Sequence, residues 1–257
     1  MRAIRGALAQ RGGQKPDRSR SHNDYIDFHI LNPNMYSVYV NYAIICRMST
    51  DLRSRKRLAT RQGISNAATR LFFERGFDHV TVDEIAAAAY VGRMTVFNHF
   101  PRKEDMFFDR DEEGRELLRE ALRQRDPGTA PVETLRLLAH RLVEEQSLYV
   151  CFTAGSQSFV ATIDSSETLK ARARAIRDEI AQVVALALSE CAGREPDDVD
   201  AQLAASLLLA TWSVALLQAH QAYRRSQDPA AAKAVFLAIV DKGTIGLNVA
   251  LAGTPYV

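Results

Sequence analysis

Five residues within one short stretch carry side chains that can read DNA: Arg93, Met94, Thr95, Asn98 and His99. Arginine can make a bidentate contact with guanine, asparagine can do the same with adenine, and a methyl-bearing side chain can touch thymine. Threonine and histidine are suited to donate to phosphate. On a helix from about Arg93 to His99 these five fall on the outer side, because Val96, Phe97 and Phe100, with Val91 ahead of them, take the inner one. A helix this short buries too little to stand alone, so other elements must hold it.

Those elements are legible upstream. Ile64, Ala67, Ala68, Leu71 and Phe72 recur at i, i+3, i+4, i+7 and i+8, one face of a helix from Thr60 that Gly76 can end. A second helix, about Val82 to Ala89, starts at Thr81, where Thr81-Val82-Asp83-Glu84 is a capping box and Val80 and Ile85 sit as a hydrophobic staple. Tyr90-Val91-Gly92 then makes a tight turn into the reading helix. Spacing alone leaves two readings open, a DNA-binding helix-turn-helix or a corner in an all-α protein. The flanks bear on the choice. Arg53, Arg55, Lys56, Arg57 and Arg61 form a basic arm before the first helix that can reach phosphates or the minor groove, although such a run is also a common solvated tail. Arg102 and Lys103 begin a long helix expected to run to about Arg125. Cations are unfavourable at that end of a macrodipole unless an external anion faces it.

The residues Gln62-Gly63-Ile64 through Leu71-Phe72, Arg75-Gly76-Phe77, Thr81 to Ala86, and Thr95-Val96-Phe97-Asn98-His99-Phe100-Pro101-Arg102-Lys103-Glu104 together resemble the TetR family of bacterial transcriptional regulators (TetR/AcrR type). The resemblance implies a homodimer, each subunit placing its second short helix in the major groove of a near-palindromic double-stranded operator. It also implies an all-helical C-terminal domain that dimerises and binds a small inducer. On the family's pattern the DNA contacts are Arg93, Met94, Thr95, Asn98 and His99, with Lys103 on phosphate. Thr81, Arg55 and Arg57 are further candidates. Two positions depart from the pattern: Tyr90 stands where glycine is usual in the turn, and Gly92 where serine usually caps the reading helix.

Composition bounds the alternatives. A formal charge of +2 from 33 basic and 31 acidic residues excludes a bulk polycation, so any DNA reading rests on local placement. Cys46, Cys151 and Cys191 are scattered with no Cys-x-x-Cys spacing, which argues against a zinc cluster or a disulfide framework and fits a cytoplasmic protein. No unbroken apolar run reaches the roughly 18 residues of a membrane span. The six histidines form no His-x-x-x-His pair, and neither Gly-x-Ser-x-Gly nor a phosphate-binding glycine loop occurs. The chain is therefore expected to be no enzyme and to need no cofactor or metal. The rival to a regulator is a dimeric helical interaction module without specific DNA binding.

Three parts are expected. Residues 1–47 are disordered or an over-extended reading frame whose natural start is Met48; residues 48–103 are the helix-turn-helix domain with its arm; residues 104–257 are a helical ligand-binding and dimerisation domain. In the last part helices are expected over Pro131 to Tyr149, Gln157 to Ile163 and Glu167 to Cys191, with two more beginning near Pro196 and Pro229. Between Val199 and Tyr223 one stripe is Leu203, Leu207, Thr211 and Val214, and another is Leu208, Trp212, Leu216 and Tyr223. A helix with two apolar stripes has two partners, and a second copy of the chain can supply one. Phe107, Phe108, Leu118, Leu138, Tyr149, Phe152, Phe159 and Trp212 are candidates to line an inducer pocket. The run from Ser165 to Arg174 is similar to a segment of relatives assigned to acyl-CoA-like ligands, which points to a hydrophobic or acyl-type inducer.

Overall fold

The computed structural model describes residues 52–257, so the expectations for residues 1–47 lie outside the described residues. Every regular element among the described residues is helical, as the periodicity predicts. The helices are α1 (Leu52–Arg75), α2 (Val82–Ala88), α3 (Arg93–His99), α4 (Lys103–Phe107), α5 (Asp111–Arg123), α6 (Pro131–Glu144), α7 (Ala154–Ser165), α8 (Glu167–Cys191), α9 (Val199–Ser226) and α10 (Pro229–Ala250). A 3-10 turn, Leu148–Val150, follows α6.

Two apolar cores organise these helices. In the first, the α1 face of Ile64, Ala68, Leu71 and Phe72 receives Ile85 from α2, Val96 from α3 and Phe100, all buried. This core does not stop at residue 103: Met106 and Phe107 of α4 join it, as does Leu169 of α8. The second core is the bundle of α5, α6, α8, α9 and α10, centred on Leu122, Leu135, Leu138, Val184, Leu208 and Phe236.

Four details differ from what the sequence predicts. The basic arm is not a separate arm; Arg53 to Arg61 belong to the first turns of α1, which begins at Leu52. The long helix from Lys103 is broken at Phe108–Arg110 into α4 and α5. There the Ser65 hydroxyl donates to the Asp109 carboxylate, and Arg61 donates at 3.4 Å to the Asp109 carbonyl, a group that a continuous helix would have used. Pro196 lies ahead of α9, whose N-cap is Asp198, its carboxylate accepting from the Ala201 amide at 2.8 Å. Pro229 does occupy the first turn of α10 behind its cap Asp228. Finally, α9 is long and apolar enough to cross a membrane by length and composition, with a mean hydropathy of 1.5 over its best 18 residues. Ser206, Thr211 and Ser213 interrupt the unbroken apolar run that the sequence reading looked for, but not the window average.

The two stripes of α9 separate only in part, since Leu207 and Thr211 of the first stripe are half-buried. Leu208 and Tyr223 are buried and Trp212 and Leu216 half-buried, whereas Leu203 and Val214 are exposed. Leu217 on α9 and Ile245 and Val249 on α10 are exposed too. The two helices approach closely enough that a Cβ on Gly243 would collide with the Thr211 side chain. Gly243→Ala is therefore expected to destabilise the fold by about 1–3 kcal/mol through overpacking, outweighing alanine's better helix propensity. Adding Thr211→Ala should restore most of the loss. Urea unfolding of the two single variants and the double variant checks the coupling; equal losses with and without Thr211→Ala would contradict it.

Candidate nucleic-acid interface

The helix-turn-helix is assembled from local signals that are satisfied as its sequence predicts. Gly76 ends α1 with φ +83°. Thr81 caps α2 reciprocally: its amide donates to the Glu84 carboxylate at 2.8 Å and its hydroxyl oxygen accepts from the Glu84 amide at 3.3 Å. The Thr81 amide and hydroxyl both donate to the Glu84 carboxylate and, with Arg75 beside them, hold it below its ordinary value. The Thr81 hydroxyl also donates to Glu84 at 2.9 Å, so its proton is engaged within the cap rather than available to phosphate. Tyr90 takes the left-handed conformation, φ +55°, and Gly92 starts α3 with no side-chain cap.

The outer side of α3 is close to the expected one. Arg93, Met94 and Asn98 are exposed, and Thr95 and His99 are half-buried. Of the expected inner residues Val96 and Phe100 are buried, but Val91 and Phe97 only half so. Phe97 serves partly as a platform, with the Arg93 guanidinium 5.6 Å from its ring centroid. That guanidinium also donates to the Asp83 carboxylate of α2 at 2.8 Å, with both side chains more than half exposed. The contact gives one guanidinium nitrogen of Arg93 a partner on α2, although a pair this exposed holds the side chain only weakly. The sequence marks Asp83 only as a member of the capping box; its place near the start of α2, ten residues before Arg93 and across the tight turn, is the signal that links the two.

Arg61 braces the other end of α3. It donates to the His99 carbonyl at 2.6 Å and lies 4.0 Å from the Phe100 ring centroid. Burial, then the charges of Arg57 and Arg61, push the His99 imidazole below its ordinary value. Arg55 and Arg57 are exposed on α1, and the electrostatic reach of Arg57 to His99 sets that basic turn beside α3. Lys103 is placed differently from expectation. Its ammonium donates to the carbonyls of Phe77 (2.9 Å) and Val80 (3.0 Å) and sits 4.1 Å from the Phe77 ring centroid. Two of its three donors thus tie α4 to the loop before α2, and one is left for an anion.

The expected pocket residues do not converge. Phe107, Phe108 and Phe159 form an aromatic cluster on the first core, with Phe107 and Phe159 stacked at 4.5 Å. Leu138 and Phe152 are fully buried in the second core, as is most of Leu118. Tyr149 is half-buried under Arg110, and Trp212 packs edge-on to Phe236. The indole N–H of Trp212 is buried without an acceptor among the described residues. A cleft of about 350 Å³ lies elsewhere, between Arg119, Leu122, Arg123 and Arg125 on one side and Ala187, Glu190 and Cys191 on the other. Periodicity marks all of these aromatics as apolar but cannot say which core each one joins. Among the described residues no group of three or more His, Cys, Asp or Glu side chains is placed to hold a metal ion.

Residues 64–109 match the family described as Bacterial regulatory proteins, tetR family. Over 84 residues the chain is 34% identical to the HTH-type transcriptional regulator TcmR of Streptomyces glaucescens, covering 33% of this chain and 37% of that one. The match thus spans little more than a third of that relative's length. Among solved structures, the SmeT–triclosan complex is similar over 73% of this chain and 91% of its own, with 21% identity and a TM-score of 0.48. The Thermus thermophilus FadR repressor in complex with lauroyl-CoA is similar over 71% and 94%, with 29% identity and a TM-score of 0.44.

Asp109, at the break between α4 and α5, offers a direct test of how this domain is held. Burial raises its carboxyl above the ordinary range, opposed by the Ser65 hydrogen bond and by Arg110 and Arg61 and reinforced by Glu113. A group whose pKa is higher in the folded state contributes stability that is full below its ordinary pKa and lost as pH rises through the folded value. Asp109→Asn keeps an acceptor for Ser65 without the buried charge. It should raise the unfolding temperature at pH 7, with the gain shrinking as pH falls toward 4. A gain that is constant with pH would show that the carboxyl is not the cause.

Proposed function

We propose, for a chain whose residues 64–109 are a domain of the tetR family of bacterial regulatory proteins, that it is a homodimeric, sequence-specific DNA-binding regulator, a repressor released by a small molecule. The observation that carries the proposal is the outer side of α3. Arg93, Met94 and Asn98 are exposed together on a helix whose inner residues Val96 and Phe100 are fully buried, and Arg93 pairs with Asp83 of α2. In this reading Arg93, Asn98, Thr95 and Met94 meet base edges, while His99, Arg55, Arg57 and the remaining donor of Lys103 meet phosphates. Thr81 contributes through the cap of α2 and at most as an acceptor. The protein works in the cytoplasm, where its operator is.

Dimerisation is assigned to α9 and α10. Leu203, Val214, Leu217, Ile245 and Val249 are large apolar side chains left in water, and a second copy of the same surface would cover them. Two reading helices one turn of DNA apart, about 34–36 Å, would fit successive major grooves. The inducer is assigned to the bundle around Trp212, whose buried N–H lacks an acceptor. A hydrophobic or acyl-type compound with one acceptor group suits that environment. It acts by favouring a different spacing of the two reading helices, which shifts the population off DNA.

Selection of duplexes from a random-sequence pool by the full-length chain tests the proposal. A near-palindrome with half-sites one helical turn or a multiple of it apart is expected, and a pool that stays random through repeated rounds would contradict it. On the recovered duplex, Arg93→Ala should cost about 1–3 kcal/mol while changing mixed-sequence binding far less. Equal losses on both would remove Arg93 from base reading.

A further inference from the structure

The turn between α2 and α3 keeps a residue that its own backbone disfavours. The Val91 amide donates to the Ala86 carbonyl at 3.0 Å and the Tyr90 amide to the Ala87 carbonyl at 3.2 Å. This pair of bonds closes a helix through one left-handed residue, the position where glycine is usual. Tyr90 is that residue, at φ +55°. A side chain there crowds its own backbone, which glycine avoids. Among the described residues nothing offsets the strain. Tyr90 is 97% exposed, so its ring buries almost no surface, and the two closing bonds are backbone bonds that glycine would make equally well. The turn thus holds a large aromatic side chain with a hydroxyl in water, at a conformational cost.

The position of that side chain suggests what it meets. Tyr90 precedes Gly92, the N-cap of α3, by two residues. In a helix-turn-helix the N-terminal residues of the second helix approach the base edges. The chain entering that end must therefore cross the rim of the groove, where the phosphates run. Tyrosine hydroxyls are among the side-chain donors to phosphate. From this we infer that Tyr90 is a DNA-backbone contact, its phenol donating a hydrogen bond to a phosphate at the rim of the groove that α3 occupies. The inference rests on the DNA-binding reading above and adds a residue to it. It also turns a departure from the usual glycine into a functional feature of this chain.

The test uses the full 257-residue chain, a fluorescein-labelled mixed-sequence duplex and a duplex recovered by selection, with binding read by anisotropy at two salt concentrations. Tyr90→Phe keeps the backbone and the ring and removes only the hydroxyl. It should weaken binding to both duplexes roughly tenfold, the scale of one hydrogen bond to a charged group. The salt dependence should stay unchanged, because a neutral phenol releases no counterion. Tyr90→Gly should weaken binding at least as much and yet raise the unfolding temperature, since the strain is gone. A variant that is more stable and binds less cannot be explained by misfolding. Wild-type affinity in either variant overturns the inference, and a loss in Tyr90→Gly alone overturns the assignment to the hydroxyl. If the wild type binds neither duplex, the DNA-binding reading falls and this contact falls with it. If the wild type binds and the variants match it, only the contact falls.

Discussion

A seven-residue helix cannot hold itself in water, and the first core of this protein is arranged around that constraint. Fixing the first turn of a helix costs more than its first hydrogen bond returns, so α3 depends on contacts outside itself. Val96 and Phe100 provide them by burying completely against α1, worth about 1.5–3 kcal/mol each in area removed from water. Arg61 adds a hydrogen bond to the His99 carbonyl at the far end of α3 and covers the Phe100 ring. The near end has Gly92 as a cap without a side-chain hydrogen bond, a strained Tyr90 before it, and the exposed Arg93–Asp83 pair. The helix is thus anchored at its C-terminus and along its inner side, and least constrained where base edges would be approached.

Arg61 also links α3 to the rest of the chain. The same guanidinium that holds His99 reaches the Asp109 carbonyl in the break between α4 and α5, beside the Ser65–Asp109 hydrogen bond. A second connection runs through the junction of α7 and α8. Ser166 donates to Asp78 at 2.9 Å, Phe159 stacks on Phe107, and Leu169 is buried in the first core. Beside them Arg172 of α8 meets Asp105, Asp111 and Glu179, and Arg115 meets Asp111, Glu112 and Glu179. Arg172 and Arg115 are only 14% and 15% exposed, so these pairs are less screened than surface ones and removing a partner would leave a poorly solvated charge. Any rearrangement in the bundle that moves α5 or the α7–α8 junction must therefore be passed to the helix-turn-helix or must break these contacts.

What the sequence discloses and what it hides follow from the range of the interactions. The Thr81–Glu84 box, the Gly76 stop, the limits of α3 and the start of α8 are set by residues within a few positions of one another, so they can be read directly. The outer side of α3 is nearly as legible, because helical period fixes which residues oppose Val96 and Phe100. The break at Phe108–Arg110 is hidden because its cause is Ser65 and Arg61, 44 and 48 residues from Asp109. The two carbonyl partners of Lys103 are hidden for the same reason: Phe77 and Val80 lie 26 and 23 residues away, and no side-chain pattern reveals them. The aromatic residues suggested for one pocket divide between two cores, since hydrophobicity marks them for burial without saying beside what. The basic run also hides its helix propensity behind its charge, which suggests an arm where α1 already winds.

Hydrogen exchange of the full-length chain, followed by mass spectrometry with and without duplex DNA recovered by selection, tests the central claim most directly. If α3 is the reading element and its N-terminal end is the least anchored in the free protein, amides from Tyr90 to His99 should gain protection on binding. The gain should exceed that in α6 or the middle of α8, and the first turns of α1 should gain in parallel. Binding with no added protection over Tyr90 to His99, or with protection centred on the bundle, would contradict the account.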